Sequence, residues 1–239
     1  MKNLLLATTA AFGLAGAAHA QMTLVGGSAS INYGAAQFFD STSVYNLDVN
    51  SAWSLGNFGV QAGAQVTLYD PSGNSSTSYA ADAHFYRQTA NGNKYGGFVN
   101  ILGGNNGGNL YDVGVEAMLS FGMVDVEAST GVWYNSFSSG TDTGSFDLAA
   151  YYAVTDNIEI NASMNSIYQI GGPGFIALYQ VGAAYEFPSN GLVASAGYGF
   201  YNEGSADLIT VGLGWKFGPN QDERLFNHGS GLLSGAVGF

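Results

Sequence analysis

Nine of this chain's seventeen carboxylates share one polar parity, each between two apolar or small neighbours. They are Asp48, Asp82, Asp112, Glu116, Asp125, Glu127, Asp147, Glu159 and Glu186. Val115-Glu116-Ala117 and Val126-Glu127-Ala128 are typical settings. Acids of one sign on a shared face can hold cations, share protons in pairs, or line a path that favours positive ions. Bases are scarce, with five Lys and Arg against seventeen Asp and Glu and a net charge of −12. Lys216 shares the polar parity, whereas Arg87 falls on the apolar parity near a strand end, where its long stem carries the charge to water.

Other chemistries are poorly provisioned. There is no cysteine, so disulfides, thiolate metal sites and a cysteine nucleophile are excluded. Beyond residue 20 the histidines are His84 and His228. His84 has the parity of the carboxylates, with the Ser78 and Tyr86 hydroxyls nearby in sequence. This set makes neither a metal motif nor a Ser-His constellation. We therefore expect no catalytic residue, no cofactor and no metal. The segments 70–74, 103–109 and 140–144 read as turns or loops rather than calcium sites. Too few bases are present to bind nucleic acid phosphates.

These acids need elements that point them one way. Tyr45, Leu47, Val49, Trp53 and Leu55 alternate with Asn46, Asp48, Asn50 and Ser54. After Gly56-Asn57 the phase reverses: Phe58, Val60, Ala62, Ala64, Val66 and Leu68 are apolar, and Gln61, Gln65 and Thr67 polar. Period 2 puts the two sets on opposite faces of a strand. The pattern predicts strands over 23–34, 43–55, 58–69, 79–90, 94–103, 110–120, 123–134, 146–154, 158–168, 175–187, 192–202 and 206–217. Tight links rich in Gly, Asn, Asp and Pro alternate with longer ones, as in outer-membrane barrels. A two-residue turn at Phe121-Gly122 would set Glu116 directly opposite Glu127.

The fold class expected is therefore all-β: a transmembrane antiparallel up-and-down β-barrel of about 12 strands, the even number putting both termini at the short-turn end. Charged residues make up 9% of the chain, against about 25% in soluble domains. A soluble barrel with its apolar face inward around a ligand is the competing architecture. It suits eight strands better than twelve. Phe175 and Tyr185, ten residues apart on one apolar face, would lie ~25 Å apart along the membrane normal, the spacing of two aromatic girdles.

Residues 1–20 read as a secretory signal peptide: Lys2, an apolar run, then Ala18-His19-Ala20. Residues 21–217 would form the barrel. Residues 218–239 read as a periplasmic tail without fixed structure, a lumenal plug or an assembly tag being the other readings.

The leader, the Gly-rich alternating strands and the closing Gly214-Trp215-Lys216-Phe217 resemble Gram-negative outer-membrane porins, particularly the small porin-like proteins of alphaproteobacteria. The resemblance implies residence in the cell outer membrane and passive diffusion of small hydrophilic solutes. It also implies that a terminal aromatic residue is read by the barrel-assembly machinery. Trp215 and Phe217 fit that role, as does the last residue, Phe239. Family porins set an arginine cluster against acids across an infolded loop. This sequence has no arginine cluster, and its longest link, 135–145, is short for that task. Selectivity would then come from the acidic lumen, which prefers cations. Outer-membrane lipid, small solutes or cations, and a second copy of the chain are the partners this implies. The alternatives are a non-conducting structural or adhesive barrel of the surface-antigen type, with Tyr86, Trp133, Tyr151 and Tyr201 filling the lumen, and a lipid-acting barrel enzyme.

Overall fold

The computed structural model describes residues 22–38, 40–71, 75–104, 108–135, 143–170, 172, 174–188, 190–202, 207–220 and 223–227. The leader, His228 and Phe239 lie outside the described residues. Twelve strands follow one another: β1 (Thr23–Phe38), β2 (Asp40–Leu55), β3 (Phe58–Pro71), β4 (Ser76–Gln88), β5 (Lys94–Gly104), β6 (Gly108–Phe121), β7 (Val124–Asn135), β8 (Thr143–Thr155), β9 (Ile158–Gln169), β10 (Phe175–Glu186), β11 (Leu192–Tyr201) and β12 (Asp207–Phe217). Each pairs antiparallel with its sequence neighbour, and β1 also pairs with β12, which closes the barrel. Closure satisfies every ladder and removes the free edges that hydrocarbon would not tolerate.

The sequence pattern places all twelve strands, with differences at their ends. The predicted long link 35–41 is mostly strand, because the β1–β2 ladder continues to Phe38↔Asp40. Residues 35–41 contain no glycine or proline to break the ladder. β8 starts at Thr143 rather than 146. At the β6–β7 turn, Phe121 pairs with Val124, and Gly122 takes φ 70°. A left-handed first turn position suits glycine and matches the strand twist. The turn is therefore Gly122-Met123, not Phe121-Gly122.

Exposure shows which face meets the surroundings. Val115 is 61% exposed and its neighbour Glu116 5%, while Ile209 is 60% exposed and Thr210 5%. The alternation holds around the wall: Ile31, Leu47, Val181 and Leu213 are exposed, and Gln61, Asn100, Asp112 and Ser166 are buried. Phe175 and Tyr185 are both on the outer wall. An apolar outside and polar inside is the reverse of a soluble ligand barrel, so that architecture is set aside. Strands of 10 to 16 residues are long enough to cross a bilayer at the usual tilt.

Candidate functional site

The interior is the candidate site. All nine predicted carboxylates are buried or half-buried on the inward face. Asp125, Glu159 and Glu186 sit two residues from their short turns. The other six lie further along the strands, in the body of the lumen.

Most have close polar partners. Asn50 Nδ2 donates to Asp48 Oδ1 at 2.7 Å, Ser129 Oγ to Asp147 Oδ2 at 3.1 Å, and Ser145 Oγ to Asp112 Oδ2 at 3.1 Å. Lys216 Nζ meets Glu186 Oε2 at 2.7 Å. Two glycines leave space for neighbouring side chains. A Cβ at Gly131 would lie 2.3 Å from Asp112 Oδ1 and 3.0 Å from Ser145 Oγ. Its absence lets Asp112 on β6 reach over β7 to Ser145 on β8. Gly63 on β3 leaves space between β2 and β4, since its Cβ would lie 2.3 Å from Asn50 Oδ1 and 2.5 Å from Asp82 Oδ1.

The expected Glu116–Glu127 pair is not formed. Glu116 is opposite Ser129, and Glu127 is opposite Met118. Moving the turn by one residue at each end shifts the register by two and makes the two acids diagonal neighbours. Glu116 instead meets His84. The His84 ring is fully buried, with Nδ1 2.8 Å from Glu116 Oε2 and Nε2 3.0 Å from Asp82 Oδ2. Each contact needs one proton, so the three groups share two protons and carry a net charge of −1.

The tail supplies what the strands lack. Gly218 takes φ 102° beside Gly26, where a Cβ would meet Gly26 Cα at 2.7 Å. A register shift between Leu24 and Gly26 opens β1 at this point, and Asn220 N donates to Val25 O at 2.9 Å. The chain thereby turns from the end of β12 into the lumen. Arg224 Nε meets Asp125 Oδ2 at 3.1 Å, its Nη2 meets Glu159 Oε2, and its guanidinium lies 3.9 Å from the Tyr151 ring centroid. Lys94 Nζ contacts Glu223 Oε1 at 2.9 Å and donates to Arg224 O at 2.6 Å. Gln61 holds the Phe226 backbone from both sides, Nε2 to O at 2.6 Å and N to Oε1 at 2.8 Å. Asn227 N donates to Glu127 Oε1 at 3.0 Å.

Phe226 is 2% exposed and packs with Tyr86 and Met118, while Leu225 joins Val25 and Ala52. Beside the tail, two small spaces measure about 20 and about 10 Å³. At the short-turn end a vestibule of about 540 Å³, bounded by Asp125, Glu159, Glu186, Lys216 and Arg224, stays open. A water needs ~10–15 Å³, so these two spaces, beside Phe226 and Asn227, are water-sized. The expected unstructured tail is thus replaced, over its described residues, by a segment bound inside the barrel. Its physical reason is charge: Arg224 finds two acids and Glu223 finds Lys94.

The NanC porin superposes with a TM-score of 0.65 at 8% identity, over 79% of this chain and 100% of that one. The KdgM porin, in complex with disordered oligogalacturonate, gives 0.59 at 12% identity, over 79% and 99%. The fold is that of an outer-membrane β-barrel. The apolar outer wall places this barrel in a lipid bilayer, and the architecture fits the outer membrane. No protein-family model matches the sequence, and neither does any curated protein sequence.

Sequence reasoning missed two cations inside this outer-membrane barrel. Lys94 opens β5 on the inward side and is buried. Its parity was readable, but it sits at a strand end. Arg224 lies in an aperiodic segment. The run Glu223-Arg224-Leu225-Phe226 combines both charges with apolar bulk, which was the available signal. The carboxylates beside both His84 nitrogens also place acids, not a serine nucleophile, next to the imidazole.

Proposed function

We propose that this chain is a porin-like channel for small hydrophilic solutes, cation-preferring, whose C-terminal segment closes the lumen. One observation carries the reading: the nine inward carboxylates and Glu223 face only Lys94, Lys216 and Arg224 as permanent cations among the described residues. A lining of one sign favours ions of the other and leaves the chemistry of the solute untouched. The oligogalacturonate held by KdgM is a polyanion, and this lumen would repel such a cargo. Trp215 and Phe217 end the closing strand and, with Phe239, are our proposed contacts for the barrel-assembly machinery.

The water-sized spaces beside Phe226 and Asn227 favour a second reading, a structural barrel that never conducts. Single-channel recording in planar bilayers under a KCl gradient separates the two. The full chain should give rare, small steps. The Arg224→Ala/Phe226→Ala variant should give frequent, larger steps that reverse on the K⁺-selective side. Inserted variant without conductance would establish the structural barrel.

A further inference from the structure

The inward faces of β1, β2 and β3 form a polar patch under the tail. Two cross-strand rows define it: Asn32, Asn46 and Thr67, then Ser30, Asp48 and Gln65. Within a row, neighbouring Cβ atoms are ~4.5–5.5 Å apart, so the side-chain tips can converge. Three amide nitrogens here already donate. Asn32 Nδ2 donates to Ser30 Oγ at 3.0 Å, Asn46 Nδ2 to Thr67 Oγ1 at 3.3 Å, and Asn50 Nδ2 to Asp48 Oδ1 at 2.7 Å.

What remains is a set of oxygens. Asn32 Oδ1, Asn46 Oδ1, Asp48 Oδ2 and Gln65 Oε1 are buried and make no hydrogen bond. Asn46 is 6% exposed and Gln65 2%. These four residues line the cavity of about 20 Å³ that Leu225, Phe226 and Asn227 cover. Asn227 also lines it from the tail side, and its Nδ2 donates to none of them. The space suits one water-sized body. A single water donates two hydrogens and would leave two of the four oxygens bare, one a carboxylate whenever the amides are served.

We propose that this pocket binds one monovalent metal cation, held by the Asp48 carboxylate and the amide oxygens of Asn32, Asn46 and Gln65. A cation answers all four acceptors at once. Hard oxygen donors suit alkali ions, and a single carboxylate gives less charge than calcium sites of six to eight oxygens draw on. The site is independent of conduction, since binding needs only the folded chain with its tail in place.

The test uses the full chain refolded in detergent micelles. Binding of ²²Na⁺ or of ⁸⁶Rb⁺ as a K⁺ analogue is measured by equilibrium dialysis, with N-methylglucamine keeping ionic strength constant. One saturable ion per barrel is expected. Asp48→Asn should weaken it at least tenfold, and Gln65→Met severalfold. Folding of each variant is checked by heat-modifiable gel mobility. If Asp48→Asn does not fold, Gln65→Met and Asn46→Leu carry the comparison. No saturable ion in the wild type, equal binding in the folded variants, or preference for Ca²⁺ over both alkali ions would each overturn the proposal. Because no voltage is applied, a barrel that never conducts can still pass this test.

Discussion

The Phe226 ring lies nearly parallel to the His84 imidazole, with 5.6 Å between centroids and 5° between planes. Both ring nitrogens of His84 are engaged edge-on by Asp82 and Glu116, which leaves its face for the phenyl group. Tyr86 meets the same phenyl ring edge-on at 5.4 Å. An ionic triad thus becomes a flat seat for an apolar side chain.

Replacing Phe226 by Ala should unseat the tail. Burial of a phenyl group contributes about 1.5–3 kcal/mol, or ten- to hundredfold in the closed/open ratio. Open probability in planar bilayers should rise by that order, with Phe226→Leu intermediate. Unchanged conductance would show that Phe226 does not hold the closure.

Arg224→Ala should free the tail by a different route. Hydrogen bonds to charged groups contribute roughly 1.5–3 kcal/mol each, and Asp125 and Glu159 would be left facing each other's charge. Limited proteolysis followed by mass spectrometry should show cleavage beyond Gly218 at least tenfold faster. Removing both carboxylates in the same chain should add little, because the three groups act as one unit.

Gly131→Ala places a Cβ where Asp112 Oδ1 now lies. The carboxylate must leave Ser145, and the crowding should cost about 1–3 kcal/mol. Heat-modifiable migration should shift to lower temperature. Adding Asp112→Ala to Gly131→Ala should restore part of the loss, which simple strand weakening by alanine would not allow.

Glu116→Gln and Glu127→Gln probe selectivity. In the Phe226→Ala background, the pair should move the reversal potential under a KCl gradient toward zero. Being diagonal rather than opposed, their effects should be close to additive. A reversal potential that stays put would remove both acids from the ion path.

Val115→Arg tests the outer wall. Val115 is exposed midway along β6, and Arg at the midplane of a barrel costs about 2–4 kcal/mol. Folding yield into bilayer vesicles should fall sharply, whereas Arg at position 87, already exposed near the end of β4, is tolerated.

The wall was legible because each strand carries its own period-2 signal. Val115 and Glu116 declare opposite faces without reference to any other strand. Register is a relation between strands, and at β6–β7 it turns on which place in the turn Gly122 takes. That choice was readable only from the backbone angle, so Glu116 was matched with Glu127 instead of Ser129. The partner of Asp112 was hidden for a related reason: Gly131 acts by leaving space, and the sequence does not say who uses it. The tail carries no period. Its place follows from pairing Arg224 with acids far away along the chain, a match that only the closed barrel presents.

The reversal at Gly218 and Gly26 anchors the closing segment to the rim that carries the short turns. In barrels of this architecture that rim faces the periplasm. Leverage on the closure is therefore available from one compartment only. A pull, a protease or a competing binder on the inner side can reach the hinge directly, whereas the outward loops can vary in sequence without touching it.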